Sequence, residues 1–317
     1  MKNPKRIVLI GGGTGIYTLL SGLKKHDCIL TSIVSMMDSG GSTGRLIDEF
    51  GTLPVGDIRR SIIALSENRE IMRTLFEYRF KEGAGLKNHS MGNLILTALT
   101  KITGTEEEGI NSACKILNVK GNVLPVTLEK SNLCAELENG EIVKGETNID
   151  IPKHNSNLKI KRLFLEPYAF AHEKAIKAIK EADIIVLGPG DLYTSTIANL
   201  VVENISNAIN ESKAKKVYVC NLMTKKGETN NFTITQHLNE LIKYLGKDCL
   251  DYVIYNSKMP SQERLDKYKG EESQTVKIDS ENFKKFKAKF IGENLISETS
   301  LVRHNEEIIA KLILSLG

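Results

Sequence analysis

Apolar positions along this chain alternate between short β-branched runs and longer segments of helical period. Arg6-Ile7-Val8-Leu9-Ile10 stops abruptly at Gly11-Gly12-Gly13-Thr14-Gly15, after which Ile16, Leu19, Leu20 and Leu23 recur at helical spacing. The pattern predicts a buried strand, a tight turn and a helix. Leu30 to Ser35 predicts a second strand, and Glu70 to Phe80 and Met91 to Ile102 predict helices. Val123 to Leu128 and Cys134 to Gly145 read as strands, with Asn139-Gly140 as a two-residue hairpin turn. A helix is expected from Glu173 to Glu181, then strands at Ile184 to Leu187, Lys216 to Val219 and Asp251 to Tyr255, each followed by helix. Glu306 to Leu316 closes the chain as an amphipathic helix. This β-then-α alternation predicts an α/β fold on a parallel sheet. Residues 120–165 break the alternation and predict an antiparallel hairpin excursion added to that sheet. With no repeat, long linker or low-complexity segment, residues 1–317 are read as a single domain.

Glycine- or amide-rich loops follow five of the predicted strands: Gly11 to Gly15, Asp38 to Arg45, Gly188 to Ser195, Asn221 to Gly227, and Asn256-Ser257. In an open parallel sheet those strand ends share one edge, and ligands bind in the crevice there. The first loop precedes a helix whose leading N–H groups lack partners within the helix, a ready anion site. It departs from a dinucleotide fingerprint, because Ile16 stands where the third glycine belongs. A Cβ at Gly12 is expected to block a diphosphate from the backbone. Asp38 stands where a dinucleotide fold holds a ribose, although a turn residue bonding its own backbone explains it too. Met36 to Arg45 reads as a second phosphate-type turn, and Asp57 can cap an apolar helix that starts at Ile58. His89 and Asn93, four residues apart, would share a helix face if one helix includes both.

Composition narrows the class. At 41% hydrophobic and 26% charged residues the chain is an ordinary globular protein. The balance of 43 Lys and Arg against 39 Asp and Glu, with no Trp, gives no case for a nucleic-acid partner. Five scattered cysteines form no Cys-x-x-Cys pair, which suits a reducing cytosol; Cys220, nearest the loops, reads as a core residue. No apolar run approaches a membrane span. The basic start from Lys2 to Arg6 leads only into the first strand, so a cytoplasmic protein is expected. The lysine-rich stretch from Lys284 to Lys289 reads as a solvated face.

Taken together, the motifs are more specific than any one of them. Gly11-Gly12-Gly13-Thr14-Gly15, Asp38-Ser39-Gly40-Gly41-Ser42-Thr43-Gly44-Arg45-Leu46, Gly56-Asp57-Ile58-Arg59 and His89-Ser90-Met91-Gly92-Asn93 occur in that order. Gly188-Pro189-Gly190-Asp191-Leu192-Tyr193-Thr194-Ser195, Asn221-Leu222-Met223-Thr224 and Val302-Arg303-His304 follow. The set resembles the YvcK family of gluconeogenesis factors over nearly the whole chain. More distantly, it is similar to the 2-phospho-L-lactate transferases (CofD). The resemblance implies a three-layer Rossmann-like fold with a nucleotide-type ligand at the strand ends.

On the family's pattern, UDP-sugars, notably UDP-N-acetylglucosamine, would be held by Gly11, Gly12, Gly13, Thr14, Gly15, Asp38, Gly40, Gly41, Ser42, Thr43 and Arg45. Gly56, Asp57, Arg59, His89, Asn93, Gly188, Gly190, Thr194, Ser195, Asn221 and Thr224 would complete the set. Family members carry a tyrosine and an arginine, implicated in holding the UDP-sugar, at the places of Tyr268 and Arg303; otherwise these are an ordinary surface tyrosine and a charge flanking a helix. The implied role is a UDP-sugar-binding regulator of carbon metabolism, cell shape and cell-wall synthesis. Its protein partner is unknown, and a homodimer stays open. The alternative is a metal-dependent enzyme of the 2-phospho-L-lactate transferase kind, in which Asp38 would hold a Mg²⁺ ion. Against that alternative, no additional carboxylate cluster or histidine–lysine constellation is evident in the sequence. The chain departs from the family pattern at Ser39, where a second aspartate is common, at Asn88, where glycine is usual, and at Asp191, a common serine. Asp191 adds negative charge beside the expected phosphate but suits a helix cap.

Overall fold

The computed structural model describes residues 3–67 and 70–316, so Lys2 lies outside the described residues. Its strands are β1 (Lys5–Gly11), β2 (Cys28–Val34), β3 (Asn122–Pro125), β4 (Asn132–Leu137), β5 (Ile142–Lys144), β6 (Ile160–Glu166), β7 (Ile184–Leu187), β8 (Lys215–Val219), β9 (Tyr252–Asn256) and β10 (Lys289–Glu293). The helices of the first half are α1 (Gly13–Leu23), α2 (Gly41–Phe50), α3 (Gly56–Leu65), α4 (Glu70–Glu77), α5 (Met91–Thr103), α6 (Glu106–Ile116) and α7 (Glu146–Asp150). Then come α8 (Glu173–Glu181), α9 (Ala198–Leu200, after a π-helical turn at Leu192–Ile197), α10 (Ile205–Glu211), α11 (Ile234–Leu245), α12 (Gln262–Asp266) and α13 (Glu306–Ser315).

Seven strands make one parallel sheet in the order β10-β9-β8-β7-β1-β2-β3. The central strands are Val, Ile and Leu runs because helices cover both faces; Ile7, Leu9 and Ile10 of β1 and all of β7 are buried. From β1 the chain builds outward through β2 to β3, then returns to β7 and builds outward the other way. Right-handed crossovers place the helices of the two halves on opposite faces. The reversal leaves a crevice beyond the carboxyl ends of β1 and β7, where such folds take ligands. Ile16, Leu19, Leu20 and Leu23 all face the core from α1, as their spacing predicts.

The excursion differs in detail from its expected form. β3 is not part of it but is an edge strand of the main sheet, pairing in parallel with β2. The antiparallel part is a separate three-stranded sheet in the order β5-β4-β6, turning at Asn139-Gly140. β10 was not expected. It starts at the end of the lysine-rich stretch because an edge strand needs few apolar residues, and Phe283 and Phe286 pack on Phe290 to anchor it. The turn expected through Arg45 is shorter, because α2 already starts at Gly41.

Candidate functional site

Loops from β1, β2, β7 and β8 converge on a cleft of about 710 Å³, closed on one side by α7 and at the far end by residues 268–304. The fifth loop does not reach it. Asn256 turns instead to its own neighbourhood, accepting from the Leu295 N–H and donating to the Lys258 carbonyl. A volume of several hundred Å³ suits a small organic ligand. The β1 and β7 loops touch: an added Cβ at Gly15 would lie 2.2 Å from the Pro189 carbonyl oxygen.

Two helix N-termini open into the cleft, α1 at Gly13 and α2 at Gly41. Both glycines have positive φ, +67° and +45°, and no atom lies near enough to obstruct a Cβ. The unobstructed side of each faces the cleft, where N–H groups and helix dipoles favour an anion. Gly12 serves differently. Its φ of −161° is ordinary extended backbone, and an added Cβ would fall 2.1 Å from Asp57 Oδ2. The position expected to admit a diphosphate is therefore filled by the protein's own carboxylate.

Asp57 does not cap its own helix, since α3 begins at Gly56 and its N-cap is Val55. Its Oδ1 accepts instead from the Gly13 N–H (3.0 Å) and lies 3.4 Å from Arg60 Nη1. Asp57 thus satisfies an orphan donor at the start of α1. Asp38 Oδ1 accepts from the Gly40 N–H at 2.9 Å, the turn-residue role, while Oδ2 lies where a Cβ on Gly56 would sit.

Several expected site residues build a buried scaffold instead of lining the cleft. Ser42 Oγ and His89 Nδ1 are 3.1 Å apart, and Asn93 Nδ2 donates to Ser42 Oγ and Thr43 Oγ1. Arg59 Nε donates to Asn93 Oδ1 at 2.9 Å. His89 precedes α5, so the two residues do not share a helix face; they meet at Ser42. Burial pulls the His89 pKa down, with Arg45 adding to it. Burial, with Arg60 and Arg79 nearby, lowers Arg59 to about 10, which leaves it charged at neutral pH. This network holds the start of α2 against α3 and α5. Arg45 donates to the Lys87 carbonyl, and Thr194 to Glu228. Gly11, Gly56 and Gly188 are buried, and Asn88 has φ +69°, which explains why glycine is usual there.

Gly13, Thr14, Gly15, Asp38, Gly40, Gly41, Asp57, Gly190, Ser195, Asn221, Thr224, Tyr268 and Arg303 do line the cleft. Asn221 Nδ2 donates to the Gly190 carbonyl, joining the β8 and β7 loops. Tyr268 is half-buried, its hydroxyl accepting from the Val302 N–H at 3.0 Å. Arg303 is exposed beside buried His304, which burial holds neutral with a pKa of about 4. Cys220 is buried, as a core residue should be.

Sequence reasoning missed Arg60, Glu146, Asp150 and Lys225. Arg60 was legible: it lies three residues after Asp57 and so shares its helix face, whereas Arg59 points away. Asp150 and Lys225 belong to a carboxylate cluster that was not evident in the sequence. Asp150, Asp191 and Glu228 come within 4.8 Å of one another, and Lys225 Nζ sits among them. It lies 2.7 Å from Asp191 and 3.8 Å from Glu228, and also bonds Asp150. Asp191 therefore makes no side-chain cap; its charge is met by Lys225. Burial works against the Lys225 charge, but the three carboxylates outweigh it and hold the ammonium well above its ordinary range. Among the described residues this is the group of acids tight enough for a metal, and an ammonium fills it. The geometry does not fit a metal there, since the Lys225 ammonium occupies the position among the three carboxylates.

Burial, together with Asp38, Asp150 and Asp57, raises the Glu146 carboxyl to about 8. Burial likewise raises Asp57, against the pull of Arg60 and the Gly13 N–H. A raised carboxyl pKa stabilises the fold below its ordinary value, near 4.5, and the benefit is lost as pH rises through about 8. Replacing Glu146 with Gln should therefore raise stability at pH 9 by on the order of 2 kcal/mol, after discounting for solvent, and change little near pH 4.5. Urea titrations of both proteins across that range check this; equal pH dependence would refute it.

The family model described as 2-phospho-L-lactate transferase CofD matches residues 7–296. The chain belongs to the CofD family. Within the family it is similar to the gluconeogenesis factor of Bacillus subtilis, 39% identical over 318 residues that cover 100% of this chain and 99% of that one. A Thermotoga maritima relative is 46% identical over 87% of each chain. A crystal structure of a Bacillus halodurans protein superposes with a TM-score of 0.94 at 40% identity, covering 98% of this chain and 99% of that one. The family's parallel seven-stranded sheet with its small antiparallel companion is thus the fold of this chain. Among the described residues no helix is long and apolar enough to cross a membrane.

Proposed function

We propose that the cleft binds a nucleotide-sugar, UDP-N-acetylglucosamine, and that residues 1–317 act as one cytoplasmic regulatory unit without turnover. The outputs are carbon metabolism, cell shape and cell-wall synthesis, reached through a protein partner. One observation carries the ligand class: the α1 and α2 N-termini open into the same cleft at unobstructed glycines, and Arg60 and Arg303 line its walls. A diphosphate complements both helix dipoles at once, beyond the Gly13 N–H that Asp57 already holds. Tyr268, at the far end, offers a ring on which a sugar or base can pack.

Calorimetry tests this directly. UDP-N-acetylglucosamine should bind more tightly than UDP, and both more tightly than NAD; NAD binding without UDP-sugar binding would overturn the reading. Arg303→Ala should weaken the UDP-sugar by roughly 1.5–3 kcal/mol, the worth of a charge-assisted hydrogen bond. Its thermal midpoint without ligand should hardly move, because Arg303 is exposed and makes no side-chain hydrogen bond or ion pair among the described residues. Tyr268→Ala should lose less. If both variants bind like the parent, the ligand does not extend to that end of the cleft.

A second reading, a transferase acting on a nucleotide-diphosphate substrate, is favoured by the family match and by the acids of the cleft, Asp38, Asp57 and Glu146. It requires a cation such as Mg²⁺ at Asp38. Chelation separates the two readings. For the regulator, removing divalent ions should change UDP-sugar affinity by less than about tenfold, roughly 1.4 kcal/mol. A larger loss, restored by Mg²⁺, favours the transferase.

A further inference from the structure

Beside the cleft lies a pocket of about 460 Å³ at the carboxyl ends of β8 and β9. Asn221 and Leu222 line both cavities, so the two meet along the β8 loop. The chain at 273–278 borders both. Thr224 and Gln274 exchange hydrogen bonds, the Val276 N–H donates to the Leu222 carbonyl at 3.1 Å, and the Ile234 N–H to the Lys277 carbonyl. Ser273 therefore faces the cleft, while Thr275, Val276 and Ile278 face the pocket.

The pocket's lining is mixed: Leu222, Ile234, Val276 and Met259 are apolar, and Ser257, Lys258 and Lys277 are polar. Among the described residues, the Ser257 and Tyr255 hydroxyls and the Asn221 side-chain oxygen have no hydrogen-bond partner, although all three residues line it. A flat heterocycle with donors and acceptors on its edge fits such a lining: its faces meet hydrocarbon and its edge meets free polar groups. Distance agrees as well. β8 is two strands from β1, about 10 Å at the usual spacing, a span within reach of an extended nucleoside diphosphate.

We propose that this pocket is the nucleobase subsite of the cleft's ligand, so that the base lies at β8–β9, the diphosphate at α1 and α2, and the sugar toward Tyr268. The assignment rests on the nucleotide-sugar reading above, and the test separates the two. UDP and inorganic pyrophosphate are titrated into the parent protein and into Ser257→Trp, which fills the pocket from an exposed position. UDP should weaken at least tenfold and pyrophosphate less than twofold. Methyl-labelled parent protein supplies a second measurement that needs no variant: nuclear Overhauser contacts from the uracil protons to Leu222, Ile234 and Val276. Undiminished UDP binding by the variant, or uracil contacts elsewhere, overturns the subsite while the nucleotide-sugar reading stands. Equal losses for UDP and pyrophosphate also overturn it. A parent protein that binds neither probe overturns both readings.

Discussion

Replacing Lys225 with methionine will destabilise the protein by about 3 kcal/mol, because it strips the cation from three converging carboxylates. Glu228 is buried, accepting from the Tyr193 N–H and the Thr194 hydroxyl, and cannot turn toward water. Asp150 belongs to α7 and Asp191 to the β7 loop, so the same change loosens the small sheet's hold on the cleft. The variant should recover as pH falls, since protonation removes the repulsion; Glu228, which burial raises to about 7, favours the fold only while protonated. Lys225→Met combined with Glu228→Gln should restore much of the loss. Urea unfolding at pH 6 and pH 8 measures each part. A single variant within 1 kcal/mol of the parent at pH 8 would mean that the ammonium is not what holds the acids together.

Gly12→Val should reduce UDP-sugar affinity more than about a hundredfold, roughly 2.7 kcal/mol. Backbone strain is not the reason, since φ at Gly12 is extended. The new Cβ collides with the Asp57 carboxylate, which must leave the Gly13 N–H and disturb the start of α1. Gly12→Ala should show the same defect at smaller size, and adding Asp57→Gly should relieve part of it by opening the space. If the double variant binds no better than Gly12→Ala, the Cβ obstructs the ligand itself. A valine variant that binds like the parent would remove this loop from the site.

The parts of the fold that could be read in advance are those with a local cause. β1, β2, β7, β8 and β9 appear where buried parallel strands demand Val, Ile and Leu, and α8 and α13 follow their helical periods. Five loops were expected on one edge, and four line one cleft, because strand polarity fixes which end each loop occupies. β10 escaped notice for the converse reason: an edge strand reading Lys-Phe-Ile-Gly-Glu is half polar.

Residue identities within the site divided differently. The glycine motifs and the acids at Asp38 and Asp57 are properties of the sequence, as is the helical spacing that puts Arg60 beside Asp57. Which glycines face a ligand and which face a neighbouring side chain was decided only by tertiary structure, since Gly12 meets a residue 45 positions away and Gly41 meets open space. So was the division of Ser42, Thr43, Arg59, His89 and Asn93 from the cleft, because a buried polar network and a ligand shell draw on the same side chains. Lys225 lies 75 residues from Asp150 and 34 from Asp191, and no periodicity links it to them. Their mutual charge compensation exists only once the small sheet, the β7 loop and the β8 loop have been brought together.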